Sequence, residues 1–357
     1  MLPIMSVVMS IVYGVHTYSA GMTLTYNQFK KVWDACYKTG CIQDTSDFWE
    51  ATWRLYCYAY QERGVKVFLY GKSGKLYRLR VQVEPCRVLG ESDPTALAKL
   101  SKRDYKKLIK AVDSMLKKLG VPISIDKMKI TRCDLTLNIE FSSQEELMEY
   151  LRIFKKSLCI YRYKRVSFKK NGGKANNPKV ANNHSYCISC KSASFLIYDK
   201  IAQLEMIDRL DELLVGKYIL RFEAELKRPA LKKHLGKQAM ETNYKLLSTA
   251  VQKSKKVIRW YLARMQPPCE RYLRYKYAVD LIENAKLKGK TRERMLYLLR
   301  KTSDKESLTS ALTDLRNKHH LSSGQCKTIL KQFQKLGIGP ITLKNSSDFD
   351  ELPPIDI

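Results

Sequence analysis

The interior of this 357-residue chain has no run of 18 or more apolar residues, so nothing there reads as a bilayer-spanning helix. Histidine is nearly absent. There are five, and none forms a His-x-His pair, which excludes a metal site built from alternate histidines of one strand. Paired cysteines are missing too: of ten, only Cys187 and Cys190 stand as C-x-x-C, and no second pair completes a four-thiolate zinc site. A three-ligand site that includes His184 stays open. The simpler reading is free thiols at alternating strand positions in a reducing cytoplasm. Residues 1–29 contain no Lys, Arg, Asp or Glu. Met1 to Gly14 is apolar like the middle of a secretory signal, yet the positive segment that should precede such a run is absent. A true start near Met22 is the alternative.

Acidic residues are few, and that scarcity is the informative number. Lys and Arg total 65 against 35 Asp and Glu, a formal net charge of +30. Such a field draws in polyanions. Hydrophobic residues make up 45% of the chain, enough to bury a core, and the length suggests two domains. Helical spacing marks 26–38 and 96–119, and β-branched and aromatic runs mark strands at 51–62, 65–71 and 75–84. A strand at 127–141, a helix at 143–157 opened by Ser143 and Glu146, and an alternating segment at 158–170 follow. Strands at 184–190 and 193–199, a helix from about 200 to 214 and a strand at 217–227 close this half. Beyond 230 the patterns are helical, at 240–263, 270–288, 291–301, 304–318 and 322–336. The expected fold class is α+β, an antiparallel-sheet domain followed by a helical C-terminal region. The expected divisions are an apolar segment 1–23, an α+β domain 24–235, a helical domain 236–343 and an acidic disordered tail 344–357.

Three strand-borne patterns carry possible chemistry. Arg132 and Asp134 in ITRCDLTL share a face because strand side chains alternate, and so do Arg221, Glu223 and Glu225 in LRFEAELK. Tyr198 and Lys200 stand two apart in SFLIYDK, read as one face at a strand end. If these strands are neighbours, the carboxylates of Asp134, Glu223 and Glu225 converge and repel unless a cation lies between them. Two arginines can supply it, as a structural network, or a hard divalent ion such as Mg²⁺ or Mn²⁺ can. A tyrosine hydroxyl is a weak nucleophile at neutral pH, and a nearby lysine or metal ion remedies that. Basic residues concentrate at 102–118 and again at 155–179, the second set including Arg162, Lys164, Arg165, Lys169 and Lys170 interleaved with Tyr161, Tyr163 and Phe168. Cations for phosphates with rings for bases suit single-stranded DNA. Helices at 304–340, with Lys327, Lys331 and Lys335 on the second, fit a helix-turn-helix, a pairing also common without DNA binding.

In order and spacing, PCRVLG, RCDLTLNIEF, FLIYDKIAQLE and LRFEAELKRPALKKHLG resemble the gene II replication initiators of filamentous phages. More distantly they are similar to rolling-circle plasmid initiators of Gram-positive bacteria. The resemblance covers roughly residues 65–236. It implies a metal-dependent endonuclease that nicks one strand of a supercoiled origin, keeps the 5′ phosphate on a tyrosine and later rejoins the displaced strand. It further implies Tyr198 as the nucleophile with Lys200 beside it, and Asp134, Glu223 and Glu225 as ligands of Mg²⁺ or Mn²⁺. Arg132, Arg221 and the basic set at 162–170 are the expected DNA contacts. Origin duplex, single-stranded DNA and a host helicase and polymerase are the implied partners, in the cytoplasm of a bacterial host and without a membrane. A non-catalytic origin- or single-strand-binding protein of the same fold is the alternative.

Overall fold

The computed structural model describes residues 10–166, 184–304 and 306–357. It opens on a long strand, β1 (Ser10–Leu24), and a helix, α1 (Tyr26–Tyr37). Thr25 and Gln28 form the capping box of α1, and Phe29, Val32 and Cys36 are its buried stripe. A meander follows: β2 (Ile42–Asp44), β3 (Thr52–Cys57), β4 (Val65–Lys72) and β5 (Leu76–Val83). Its inward positions alternate, as Leu55, Val67, Leu69, Leu79 and Val81. After α2 (Pro85–Val88), Ser101 caps α3 (Lys102–Lys118), whose buried Leu108, Val112 and Met115 oppose a lysine-covered face.

The strand β6 (Lys129–Phe141) and the helix α4 (Gln144–Lys156) come next. Then β7 (Lys164–Arg165), β8 (Ser185–Ser189), β9 (Ala193–Asp199), α5 (Lys200–Met206) and β10 (Tyr218–Lys227) complete the sheet. Among the described residues ten strands form one sheet in the order β2-β3-β4-β5-β1-β6-β10-β9-β8-β7, every pair antiparallel. The remainder is α6 (Arg228–Leu235), α7 (Asn243–Met265), β11 (Tyr272–Leu273), α8 (Tyr275–Asn284), α9 (Gly289–Ser303), α10 (Leu308–Lys318), α11 (Ser323–Lys335) and β12 (Glu351–Leu352). The protein is thus α+β, with a large antiparallel sheet and eleven helices among the described residues. No described helix is long and apolar enough to cross a membrane.

The two faces of the sheet differ because the alternation of β6 and β10 separates residue types. Leu135, Leu137 and Ile139 lie opposite Ala224, Phe222 and Leu220, all fully buried. Helices α4 and α7 cover them: Phe154 meets Phe222 edge-on at 5.4 Å, and Tyr261 stacks on Phe195 at 4.4 Å. The apolar core runs without a break from this face into the helical half. On the other face stand Arg132, Asp134, Asn138, Arg221, Glu223 and Glu225, and residues 93–98 cross over them. Gly14 permits that crossing, because a Cβ there would lie 2.6 Å from the Ala98 carbonyl oxygen.

Several expectations change. Residues 10–24 are no separate apolar segment; they are the central strand β1, hydrogen-bonded to β5 and β6 on its two sides. Met22 lies inside it. The helix expected from 96 starts only at 102, since Ala98 is drawn into a bridge with Val15. The alternating run 158–170 yields the two-residue β7, Arg162 turning the chain at φ 69°, and residues 167–170 lie outside the described residues. The helix expected to 214 stops at Met206, before Asp208 at φ 54°. The acidic tail is ordered: β12 pairs with β11, the Tyr150 hydroxyl donates to the Pro353 carbonyl at 2.9 Å, and Leu352, Ile355 and Ile357 are buried.

Truncation after Asp350 removes those three apolar anchors, so it should cost roughly 3–6 kcal/mol. Urea unfolding of the shortened chain checks this, and an unchanged midpoint would restore the picture of a loose tail. His234 offers a second test. It packs edge-on against Trp260 at 4.9 Å, and burial, then Lys233 and Arg264, lower its pKa to about 4. The unfolded chain binds that proton near pH 6.5, so this contribution to stability is present above pH 6.5 and lost as the pH falls toward 4. His234→Gln should therefore lose less stability than the parent between pH 7.5 and 5 in denaturant melts; equal losses would refute the assignment.

Candidate active site and metal centre

The pairing of β6 with β10 builds the site. Asp134 stands directly opposite Glu225, Thr136 opposite Glu223, and Asn138 opposite Arg221. Strand β9 adds Tyr198 opposite Arg221. The convergence expected of separate motifs is therefore a matter of register. Ligand oxygens of Asp134, Glu223 and Glu225 lie within 4.8 Å of one another.

Asp134 and Glu223 are fully buried, and Glu225 is only 21% exposed. Arg132 holds two of the three carboxylates. Its Nε and one terminal nitrogen donate to both oxygens of Asp134 at 2.6 and 2.7 Å, and the same terminal nitrogen donates to Glu225 at 2.6 Å. Three carboxylates so close together repel one another unless cations offset them. Burial pushes the pKa of Asp134 up to about 7, with Glu225 and Glu223 adding and Arg132 opposing. A divalent cation would fit such a cluster, since an all-carboxylate set of oxygen donors suits Mg²⁺ or Mn²⁺.

The Tyr198 hydroxyl donates to Glu223 at 2.9 Å. Lys200 is not on the strand beside it. It is the first residue of α5, with its ammonium donating to Gln203 at 2.8 Å, and both residues line the same cleft. That cleft has a volume of about 630 Å³ and reaches from Arg132, Glu225 and Tyr198 to Lys66, Phe68 and Arg80 on β4 and β5.

The expected DNA contacts separate. Arg221 is 0% exposed, so it has no surface to offer DNA. Its Nε donates to Asn138 and a terminal nitrogen donates to the Thr95 carbonyl, both at 2.8 Å, and Asn138 donates to that carbonyl at 2.9 Å. It pins the 93–98 segment that walls the cleft. Arg132 lines the cleft but is committed to the carboxylates. Arg162, Lys164 and Arg165 are exposed at and just before the edge strand β7, three strands beyond β10. Lys169 and Lys170 lie outside the described residues. The C-x-x-C cysteines part company: Cys187 is buried against Leu196 and Tyr198, while Cys190 sits near Ser192.

Sequence reading missed the β3–β5 wing. Arg54, Tyr56 and Tyr58, then Lys66, Phe68 and Tyr70, then Arg78 and Arg80 occupy alternate positions that register onto the same face as the acidic site. Arg80 lies over the Phe68 ring at 4.2 Å, and Tyr56 meets Phe68 edge-on at 5.4 Å. Basic and aromatic residues at every second position were the available signal.

No family model and no curated protein matches the chain. Isothermal titration with Mn²⁺ tests the centre directly. The parent and Tyr198→Phe should bind one ion, and Asp134→Asn and Glu223→Gln should each weaken binding roughly tenfold or more, through loss of a charged oxygen donor. Equal heats for all four proteins would mark the cluster as a structural network.

Proposed function

We propose that the chain is a rolling-circle replication initiator of a phage or plasmid, a DNA nickase whose sheet half is a Rep/relaxase-like domain. One observation carries the reading: a tyrosine hydroxyl hydrogen-bonded at 2.9 Å to one member of a three-carboxylate cluster that could hold a metal ion. Its substrates would be supercoiled origin DNA and the single strand exposed there, met in the cytoplasm of a bacterial host with its helicase and polymerase. The net charge of +30 supports polyanion binding without specifying it.

In this reading the Tyr198 oxygen attacks the scissile phosphorus, its proton passing to Glu223, already its hydrogen-bond acceptor. The bond from phosphorus to the 3′ oxygen breaks, that oxygen takes up a proton from water in the open cleft, and a 3′ hydroxyl for a polymerase and a 5′ phosphate on Tyr198 result. The reverse attack by a 3′ hydroxyl closes a strand, and the phosphotyrosine conserves the bond energy that this needs. Asp134, Glu223 and Glu225 would hold the cation, which acts as a Lewis acid toward the phosphate when bound. Arg132 positions two of these carboxylates. Lys200, in the same cleft, supplies positive charge toward the transition state.

A second reading, an origin- or single-strand-binding protein without chemistry, is favoured by the burial of Tyr198, which is only 1% exposed. A phosphodiester must reach the floor of the cleft to meet it. Incubation with supercoiled DNA of the protein's own element and Mn²⁺ or Mg²⁺ separates the two. Relaxed circles with covalently attached protein are expected, with a loss of roughly 10³-fold or more in Tyr198→Phe and with EDTA. Tight binding with no relaxation by either protein would establish the binder.

A further inference from the structure

A second concavity, of about 1070 Å³, lies away from the acidic cleft, between the end of the β8–β9 hairpin and helices α6, α7, α10 and α11. Arg162, Lys233, Arg264, Arg316 and Lys327 line it, and among the described residues no carboxylate does. All five side chains are exposed, and none forms a salt bridge among the described residues. The acidic cleft, by contrast, is lined by Glu62, Glu84, Asp93, Asp211 and Glu225 as well as cations. Five cations that face no carboxylate among the described residues, three of them resting on the rings of Tyr161 and Trp260, repel each other and attract a polyanion.

The rest of the lining narrows the choice of polyanion. Leu158, Ile160, Leu312 and Leu330 make an apolar floor. Trp260 stands at the wall with the Arg264 guanidinium 3.9 Å over its ring, and Tyr161 is 83% exposed at the rim. A flat anionic membrane cannot follow a concave surface, and an acidic peptide does not carry a ring with every charge, as a nucleotide does. A duplex keeps its bases stacked inside, away from such a floor. An unpaired strand offers both a charged backbone for the rim and bases for the floor and rings.

We propose that this groove is a second nucleic-acid site, which holds a single strand by its phosphates on Lys233, Arg316 and Lys327 and by base stacking near Trp260 and Tyr161. The first turns of α11, which a helix-turn-helix would aim into a major groove, then face a single strand through Ser323 and Lys327. The inference does not rest on the nicking reading, since binding at this site needs neither metal nor an origin.

The test is fluorescence anisotropy of a labelled 30-nucleotide oligo(dT) in EDTA over a series of salt concentrations. The triple variant Lys233→Glu, Arg316→Glu, Lys327→Glu, checked for native circular dichroism and melting, should bind at least 30-fold more weakly. The slope of log affinity against log salt should fall by about 2, the sum for three lost phosphate contacts on a single strand. The single change Lys327→Glu should show a smaller loss in the same direction. An oligonucleotide bearing 5-iododeoxyuridine should crosslink to peptides containing Trp260 or Tyr161. Unchanged affinity and slope in the triple variant would overturn the proposal. So would a larger loss for a 30-base-pair duplex than for the single strand, displacement by polyglutamate as effective as by DNA, or crosslinks confined to the acidic cleft.

Discussion

Three carboxylates and one guanidinium meet where β6 and β10 pair, and the rest of the sheet face is arranged around them. Arg132 answers Asp134 and Glu225 with three short hydrogen bonds, while the Tyr198 hydroxyl answers Glu223. None of these groups is there by chance of folding. Each is fixed by strand register, and a slip of one residue would send every carboxylate into the apolar face beneath α4 and α7. The fully buried leucines on that lower face enforce the register. Core packing and site geometry are therefore two faces of one constraint.

The elements that could be read from the sequence were those with a strong period. The strand 129–141, the helix 144–156 and the strand 218–227 fall within two residues of the expected bounds, because alternation or helical spacing dominates them. The convergence of Asp134, Glu223 and Glu225 was also legible, given only that their strands are neighbours. What escaped was tertiary. Of the apolar run from Met1 to Gly14, residues 10–14 begin the central strand β1, and a sheet strand can share the apolar composition of an export signal. The tail was misjudged from its acidity, although Leu352, Ile355 and Ile357 supply an apolar grip. Arg221 looked like a DNA contact, since sequence does not tell a buried arginine that braces a loop from one that faces solvent.

Positive charge is spread through the chain, but the structure sorts it. The lysines of α3 cover a solvent face on the helical side of the sheet. The arginines of the β3–β5 wing lie on the site's own face with aromatic rings between them. A third set rims the groove beside α10 and α11. Arg221 and Arg132 work inward, holding polar groups of the protein itself. Composition counts these equally, although only burial and register distinguish their tasks.

The central position of β1 has a consequence for biosynthesis. Its residues pair with partners up to 130 positions later, from Ser10 to Glu140. At about 5–20 residues per second, a ribosome needs roughly 6–26 s to make that partner. During this interval an apolar strand has left the tunnel without the neighbour that will flank it, and such an edge invites pairing with other chains. Yield in cells would then depend on chaperone capture of the nascent N-terminal strand, and slower translation before residue 140 would lengthen the exposure.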